Sequence, residues 1–455
     1  MHRLPYILFV VVFFIPFLSV RLGVLPGAAR LVFELVSGGV FLASLAYCSY
    51  HKIFSVGVRY IVLFLIVCVL FFIGGVVNSV DPATAFSGLR NYLKYTPLFL
   101  LPLVYAYSEE QMKGQLKFLL GLGLLQFPVV VFQKFVFLTP SDWVAGTLVI
   151  GSIMSIYLVC CVVMLVGLYF RGFLKDKLLL LLVPLLFIPT MLNESKGTLV
   201  LMFFGLLVVM LAAGLKKSHI IASVSVLVAT LSIFTLVYNI SFSEDAGKSD
   251  LVTFFTDMDK GIGWYLYSGD SVEVDPDHVL GEKTDVIGAS PSFDAEEVRD
   301  RIRRIDAIVL PLRVLSDDPV KLLLGLGIGN ASESSLKNFG FEGEYSFLAR
   351  LNISMPLLPM LLWEVGVLGV FLYLLFFCFI YRDARYLAKK GDFSGGIALG
   401  WIGVVVILAL SFPYKNFLLF EVLGALFFYL SGYIVSKRYR VNVEEGKLWR
   451  RNDQF

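Results

Sequence analysis

The sequence predicts an all-α polytopic membrane protein, and three observations carry that prediction. First, 58% of its 455 residues are apolar and only 16% are charged, against roughly 25% charged in an average soluble domain, and the mean hydropathy is +0.82. Second, the apolar residues come as repeated runs of about 18 to 22, long enough to cross a ~30 Å hydrocarbon core as helices. Third, the lysines and arginines are sorted by side of the membrane. A soluble fold, intrinsic disorder and nucleic-acid binding as the main task are excluded. A transmembrane barrel is disfavoured, because its strands would alternate apolar and polar over about 10 residues.

Apolar runs between charged breaks place about twelve spans, at residues 4–20, 31–49, 60–77, 95–107, 118–137, 148–170, 178–192, 198–213, 220–238, 357–381, 396–412 and 417–436. Met-His-Arg before the run from Leu4 to Val20 imitates a signal peptide, but the spans that follow need no separate signal, so this run is read as the first span. The fourth span is short. Pro356 and Pro359 between Leu351 and Leu362 predict a bent or interfacial approach to the tenth. All five cysteines, Cys48, Cys68, Cys160, Cys161 and Cys378, lie inside apolar runs without metal or redox spacing, and read as small packing residues.

With both termini in the cytoplasm, the inner connections hold Arg3, Lys52, Arg59, Lys113, Lys117, Arg171, Lys175, Lys177, Lys216, Lys217, Arg382, Arg385, Lys389, Lys390 and the basic tail. The short outer connections hold only Arg21, Arg30, Arg90, Lys94, Lys134, Lys196 and Lys415. This bias sets the expected topology. Residues 1–238 form nine spans, 239–350 a large extracytoplasmic loop, 351–436 three more spans, and 437–455 a cytoplasmic tail.

The first half of the loop is acidic and weakly patterned. Its stretch VEVDPDHVLGEKTD lacks the glycine and closing glutamate of an EF-hand and reads as a solvated loop. The second half places Ile302, Ile305, Ile308, Val309 and Leu312 at helical spacing opposite Arg299, Arg301, Arg303 and Arg304, the pattern of an amphipathic helix lying on the membrane surface.

Basic residues on the outer side run against the positive-inside bias, and anion binding is the functional reason for them. Guanidinium groups grip phosphate oxygens two at a time, whereas lysine acts as a point charge. Arg90 and Lys94 stand four residues apart on a short helix of the NSVDPATAFSGLRNYLKYTP connection. Lys196 sits in the tight turn NESKG, and Arg301 and Arg304 hang in the loop above. The alternative is that each one snorkels to headgroups or pairs with a nearby acid, as Lys196 with Glu194 or Arg304 with Asp300.

After the amphipathic helix, DDPVKLLLGLGIGN carries Gly325, Gly327, Gly329 and Asn330, and the tenth span opens on E-x-G-x-x-G at Glu364, Gly366 and Gly369. In this order, under a late outer loop, these motifs resemble the C-terminal signature of the O-antigen ligase and O-antigen polymerase superfamily. The resemblance extends to Ser195-Lys196-Gly197, where ligases commonly have Ser-Arg, and to Gly88-Leu89-Arg90.

The resemblance implies a GT-C-like fold in a bacterial inner membrane. It implies an enzyme that takes a glycan from undecaprenyl pyrophosphate on the periplasmic face and passes it to an acceptor hydroxyl, with no cofactor, no metal and no nucleic-acid partner. Membrane lipids and a chain-length regulator are the further partners it implies. The leaving pyrophosphate needs cations and the acceptor needs a base. Arg90, Lys94 and Lys196 are expected to bind the pyrophosphate, and Arg301 and Arg304 to act at the reacting centre. Ligases carry a histidine just before the tenth span. Here the stretch from Ser354 to Pro356 has none, His278 is the only outer histidine, and His2, His51 and His219 lie inside. That departure favours a polymerase of lipid-linked repeat units, with a ligase and a lipid-linked oligosaccharide flippase as the alternatives. Glu344, beside Glu342 and Tyr345, is the candidate base, with a solvated loop acid as the plain alternative. Glu364 is costly inside a membrane unless paired and is expected to meet a basic residue, for structure or for substrate. Glu34 and Glu421 are intramembrane acids with no motif around them.

Overall fold

A computed structural model of the chain describes residues 2–26, 29, 31–51, 54–193, 195, 197–242, 304–332, 343–350, 356–418 and 421–445. Among these residues all regular structure is helical. The longer helices are α1 (Leu4–Pro16), α2 (Leu31–His51), α3 (Val58–Val77), α4 (Pro82–Leu93), α5 (Thr96–Val104), α6 (Glu109–Phe135), α7 (Gly151–Phe170), α8 (Asp176–Leu192), α9 (Gly197–Ala213) and α10 (Lys217–Phe242). The loop region supplies α11 (Arg304–Leu315), α12 (Pro319–Leu324) and α13 (Phe347–Arg350), and the chain closes with α14 (Leu357–Leu387), α15 (Phe393–Leu410) and α16 (Glu421–Glu444). Seven stretches are long and apolar enough to cross a membrane: Leu4–Arg21, α2, α3, α6, α7, α14 and α15. The chain is therefore a polytopic helical membrane protein.

Helix starts follow local chemistry. Asp81 accepts from the backbone N–H of Ala83 and Thr84, each at 3.0 Å, with Pro82 at the first position of α4, where its missing N–H costs nothing. Ser108 and Gln111 form a reciprocal capping box at α6. α7 and α15 are the buried centre of the bundle. They cross where a Cβ on Gly167 would stand 2.3 Å from the backbone of Gly400, so small residues permit the close approach. α3 sits at the edge, its outer face (Ile61, Phe64, Leu65, Val69, Phe72) apolar and exposed.

The stretch 351–355 before the tenth span lies outside the described residues; Pro356 caps α14, Pro359 lies in its first turn, and α14 itself breaks at Gly366 (φ +63°, ψ −169°). The short fourth span is α5, and the connection before it forms the short helix α4. One expectation is corrected. The amphipathic helix exists as α11, but its packed face is rotated. Ala307, Leu310, Val314 and Leu315 are buried, while Val309 and Leu312 of the expected face are exposed. α11 is apolar nearly all round, so spacing alone does not choose the face. The buried one packs with Leu326, Ala331, Leu348 and Trp363 into a small core above the bundle.

Candidate functional site

The site is built on the glycine-rich loop. α12 ends at Gly325, and Gly325, Gly327 and Gly329 take φ of +70°, +92° and +81°, a left-handed conformation that side-chained residues rarely adopt. The break at Gly366 leaves the carbonyls of Trp363 and Glu364 without their helical donors. Leu326 N–H fills the first at 2.7 Å and Gly327 N–H the second at 3.1 Å. Asn78 Nδ2 holds the carbonyl of Gly325 at 3.1 Å. Gly88 of α4 lies so close that a Cβ there would be 2.3 Å from Gly329 Cα. The two motifs noted in the sequence therefore meet face to face, with α4 as the third wall.

Glu364 is fully buried at their centre. Its Oε2 accepts from the Tyr92 hydroxyl at 2.8 Å and its Oε1 from Ser332 N–H at 2.9 Å. Among the described residues its donors are neutral, where a basic partner is expected from the sequence: a buried carboxylate is satisfied by hydrogen bonds wherever enough donors converge. Asn330 extends the network outward. Its Nδ2 donates to Leu326 O at 3.1 Å, and its Oδ1 accepts from Glu344 N–H at 2.8 Å. Its own carbonyl accepts from Tyr345 N–H at 2.9 Å. Glu344 thus stands exposed on the rim of the glycine loop, its backbone fixed from below. Beside it the half-buried Tyr345 phenol is pushed above its ordinary pKa, first by burial and then by the Glu344 charge, and so stays a proton donor.

Arg90 and Lys94 occupy one face of α4, as expected. Two residues on a helix are about 200° apart, so that face points away from Tyr92 and Glu364. Arg90 Nη2 pairs with Glu34 Oε1 at 2.5 Å, and the Lys94 carbonyl accepts from Ser37 Oγ at 2.8 Å, both on α2. Lys94 Nζ lies 5.1 Å from the Tyr95 ring centre. Lys196 and Arg301 lie outside the described residues, as do Glu194, Asp300 and His278, and Arg304 is described only as the start of α11. The frame of the Lys196 turn is described: Asn193 Nδ2 donates to Val144 O at 2.7 Å and to Ser141 O at 3.1 Å, and Ser195 is buried.

Beneath the Tyr92–Glu364 pair a groove of about 140 Å³ runs between α3, α5 and α14, lined by Phe71, Val67, Tyr373, Phe376, Tyr60 and neighbours. From Phe71 to Tyr60 it follows α3 for roughly 16 Å at 1.5 Å per residue. Its walls are almost entirely apolar. The Tyr373 hydroxyl is buried without a hydrogen-bond partner among the described residues. The far end closes on a polar cluster absent from the sequence reading: buried Asp383 accepts from Tyr60 at 2.6 Å, pairs with Arg59, and lies 4.0 Å from Arg438. Among the described residues no three His, Cys, Asp or Glu side chains gather as metal ligands.

The fold and site define a polytopic helical membrane protein with an apolar groove under a hydrogen-bonded polar crown. No family model matches the chain, and no curated protein matches its sequence.

Proposed function

We propose that the chain is an integral-membrane glycosyltransferase that polymerises undecaprenyl-pyrophosphate-linked oligosaccharide repeat units into a surface polysaccharide on the periplasmic face, with about twelve spans and both termini cytoplasmic. The observation that carries this reading is the groove: an apolar groove that ends beneath a buried acid and a glycine loop. A lipid-linked sugar needs both halves, one for its chain and one for its polar head.

In this reading a hydroxyl of the acceptor glycan attacks the anomeric carbon of the donor. A new glycosidic C–O bond forms, the anomeric C–O bond to pyrophosphate breaks, and undecaprenyl pyrophosphate leaves with its electron pair. Glu344 takes the hydroxyl proton, while Lys196, Arg301 and Arg304 offset the charge developing on the leaving group, with Arg90 and Lys94 meeting the pyrophosphate from the α2 side of α4. The Glu34 carboxylate orients Arg90 until phosphate oxygens compete for it.

A second reading, a lipid-linked oligosaccharide flippase, is favoured by one observation: the helix breaks at Gly366 and between α4 and α5, since transporters place sites at discontinuous helices. The glycan phenotype of a deletion strain separates the two. Single repeat units on their carrier at the periplasmic face support the polymerase, cytoplasm-facing units support the flippase, and finished polymer held on its carrier supports a ligase.

A further inference from the structure

A second groove, sharing no residue with the first, lies between the end of the first span and the C-terminal half of α6. Phe17, Leu22, Leu125, Val129, Phe132 and Phe137 wall a space of about 830 Å³, with Arg21 and Trp143 also lining it. Phe132, Phe137 and Trp143 are exposed, as side chains at a membrane–water boundary are. The polar groups of the wall are mostly committed. Gln133 donates to Gly146 O at 2.8 Å and accepts from the N–H of Ala145 and Gly146.

Arg21 is different. Its Nη2 donates to two neutral carbonyls, Trp143 O at 2.9 Å and Val149 O at 2.8 Å. Its Nε is buried without a partner among the described residues, and no described carboxylate pairs with it. Among the described residues the partners of this half-buried cation are all neutral, a costly setting at the membrane edge, and an anionic group in the groove would remove that cost.

We infer that this groove binds a bilayer phospholipid, its acyl chain along Leu125, Val129 and Phe132 and its headgroup phosphate against the Arg21 guanidinium. The occupant follows from charge complementarity and wall chemistry together: an apolar trough with a cation at its mouth whose described partners are all neutral fits a single anionic phosphate on an acyl chain. This site stands apart from the proposed polymerase site and does not depend on it.

The test uses the full-length protein in nanodiscs with phosphatidylglycerol carrying a photoreactive acyl terminus, and in parallel with a diacylglycerol bearing the same group but no phosphate. Adducts are mapped by mass spectrometry. Phosphatidylglycerol adducts should concentrate on residues 17–22 and the second half of α6. Val129→Trp, which fills the trough without touching the Arg21 bonds, should reduce them about tenfold, and Arg21→Gln should do the same for phosphatidylglycerol alone, a change equal to about 1.4 kcal/mol. Adducts spread evenly over the exposed face of α3, or unchanged by Val129→Trp, would overturn the site. Equal labelling by both probes would overturn the role of the phosphate.

Discussion

The hydroxyl of Tyr92 donates at 2.8 Å to the fully buried carboxylate of Glu364, joining two segments 272 positions apart in the chain. This bond ties α4 to the start of α14 at the point where the glycine loop, the rim carrying Glu344 and the apolar groove converge. Removing either partner leaves a buried polar atom unsatisfied, at a cost of about 1–3 kcal/mol. Tyr92→Phe and Glu364→Ala should both lower the unfolding temperature in detergent, Glu364→Ala by more because it also strands Ser332 N–H. An unchanged temperature in both would show that water supplies the missing bonds.

The glycines of the loop and its seat should tolerate no Cβ. Gly88→Ala would set a Cβ 2.3 Å from Gly329 Cα, and Gly366→Ala would meet Leu323 O at 2.4 Å while holding φ at +63°. Gly88→Ala should destabilise by about 1–3 kcal/mol through overpacking, and Gly366→Ala by about 3 kcal/mol or more, because backbone strain adds to it. Gly121→Ala in α6 meets nothing within 4 Å and should stabilise by up to about 1 kcal/mol, because alanine is the better helix former. Thermal unfolding of the three variants side by side checks the contrast.

Arg90 and Glu34 invite a double-mutant cycle. Arg90→Ala leaves the Glu34 carboxylate without its arginine, and Glu34→Ala removes the acid from Arg90; each alone should reduce folded yield. The double variant should recover most of it. If Arg90 serves the pyrophosphate, the recovered protein stays inactive, and Arg90→Lys restores only part of the activity because the two-point grip is lost. Full activity in the double variant would make the pair purely structural.

At the other end of the groove, Asp383→Asn removes the charge that Arg59 and Arg438 share. Breaking such a buried pair costs about 3 kcal/mol. The expected outcome is a lower unfolding temperature with unchanged activity per folded molecule, since this cluster lies at the far end of the groove from the proposed chemistry.

Every apolar run of the sequence returns as a helix, because a stretch that must satisfy its backbone inside lipid has little other choice. The short helix carrying Arg90 and Lys94 was legible from Asp81-Pro82, a capping pair written in the chain. The partnership of the G-x-G-x-G and E-x-G-x-x-G motifs was not, since the break at Gly366 that frees the carbonyls of Trp363 and Glu364 exists only in three dimensions. Nor was the partner of Glu34, since an acid in an apolar run announces a cost but not who offsets it, nor that of Asp383, whose basic neighbours Arg382 and Arg385 hide its link to Arg59. The crossing of α7 and α15 does leave a signal in the sequence, the spacing of Gly396 and Gly400.

The most direct measurement incubates the purified protein in liposomes with undecaprenyl-pyrophosphate-linked oligosaccharide and follows product length on a gel. The intact protein should give a ladder of repeat units. The ladder should be lost in Val67→Trp, which blocks the groove, and in Glu344→Gln, which removes the base, while both variants remain folded. A groove-blocked variant that extends glycan as fast as the parent, or an intact protein that leaves the oligosaccharide unextended, would contradict the proposed function.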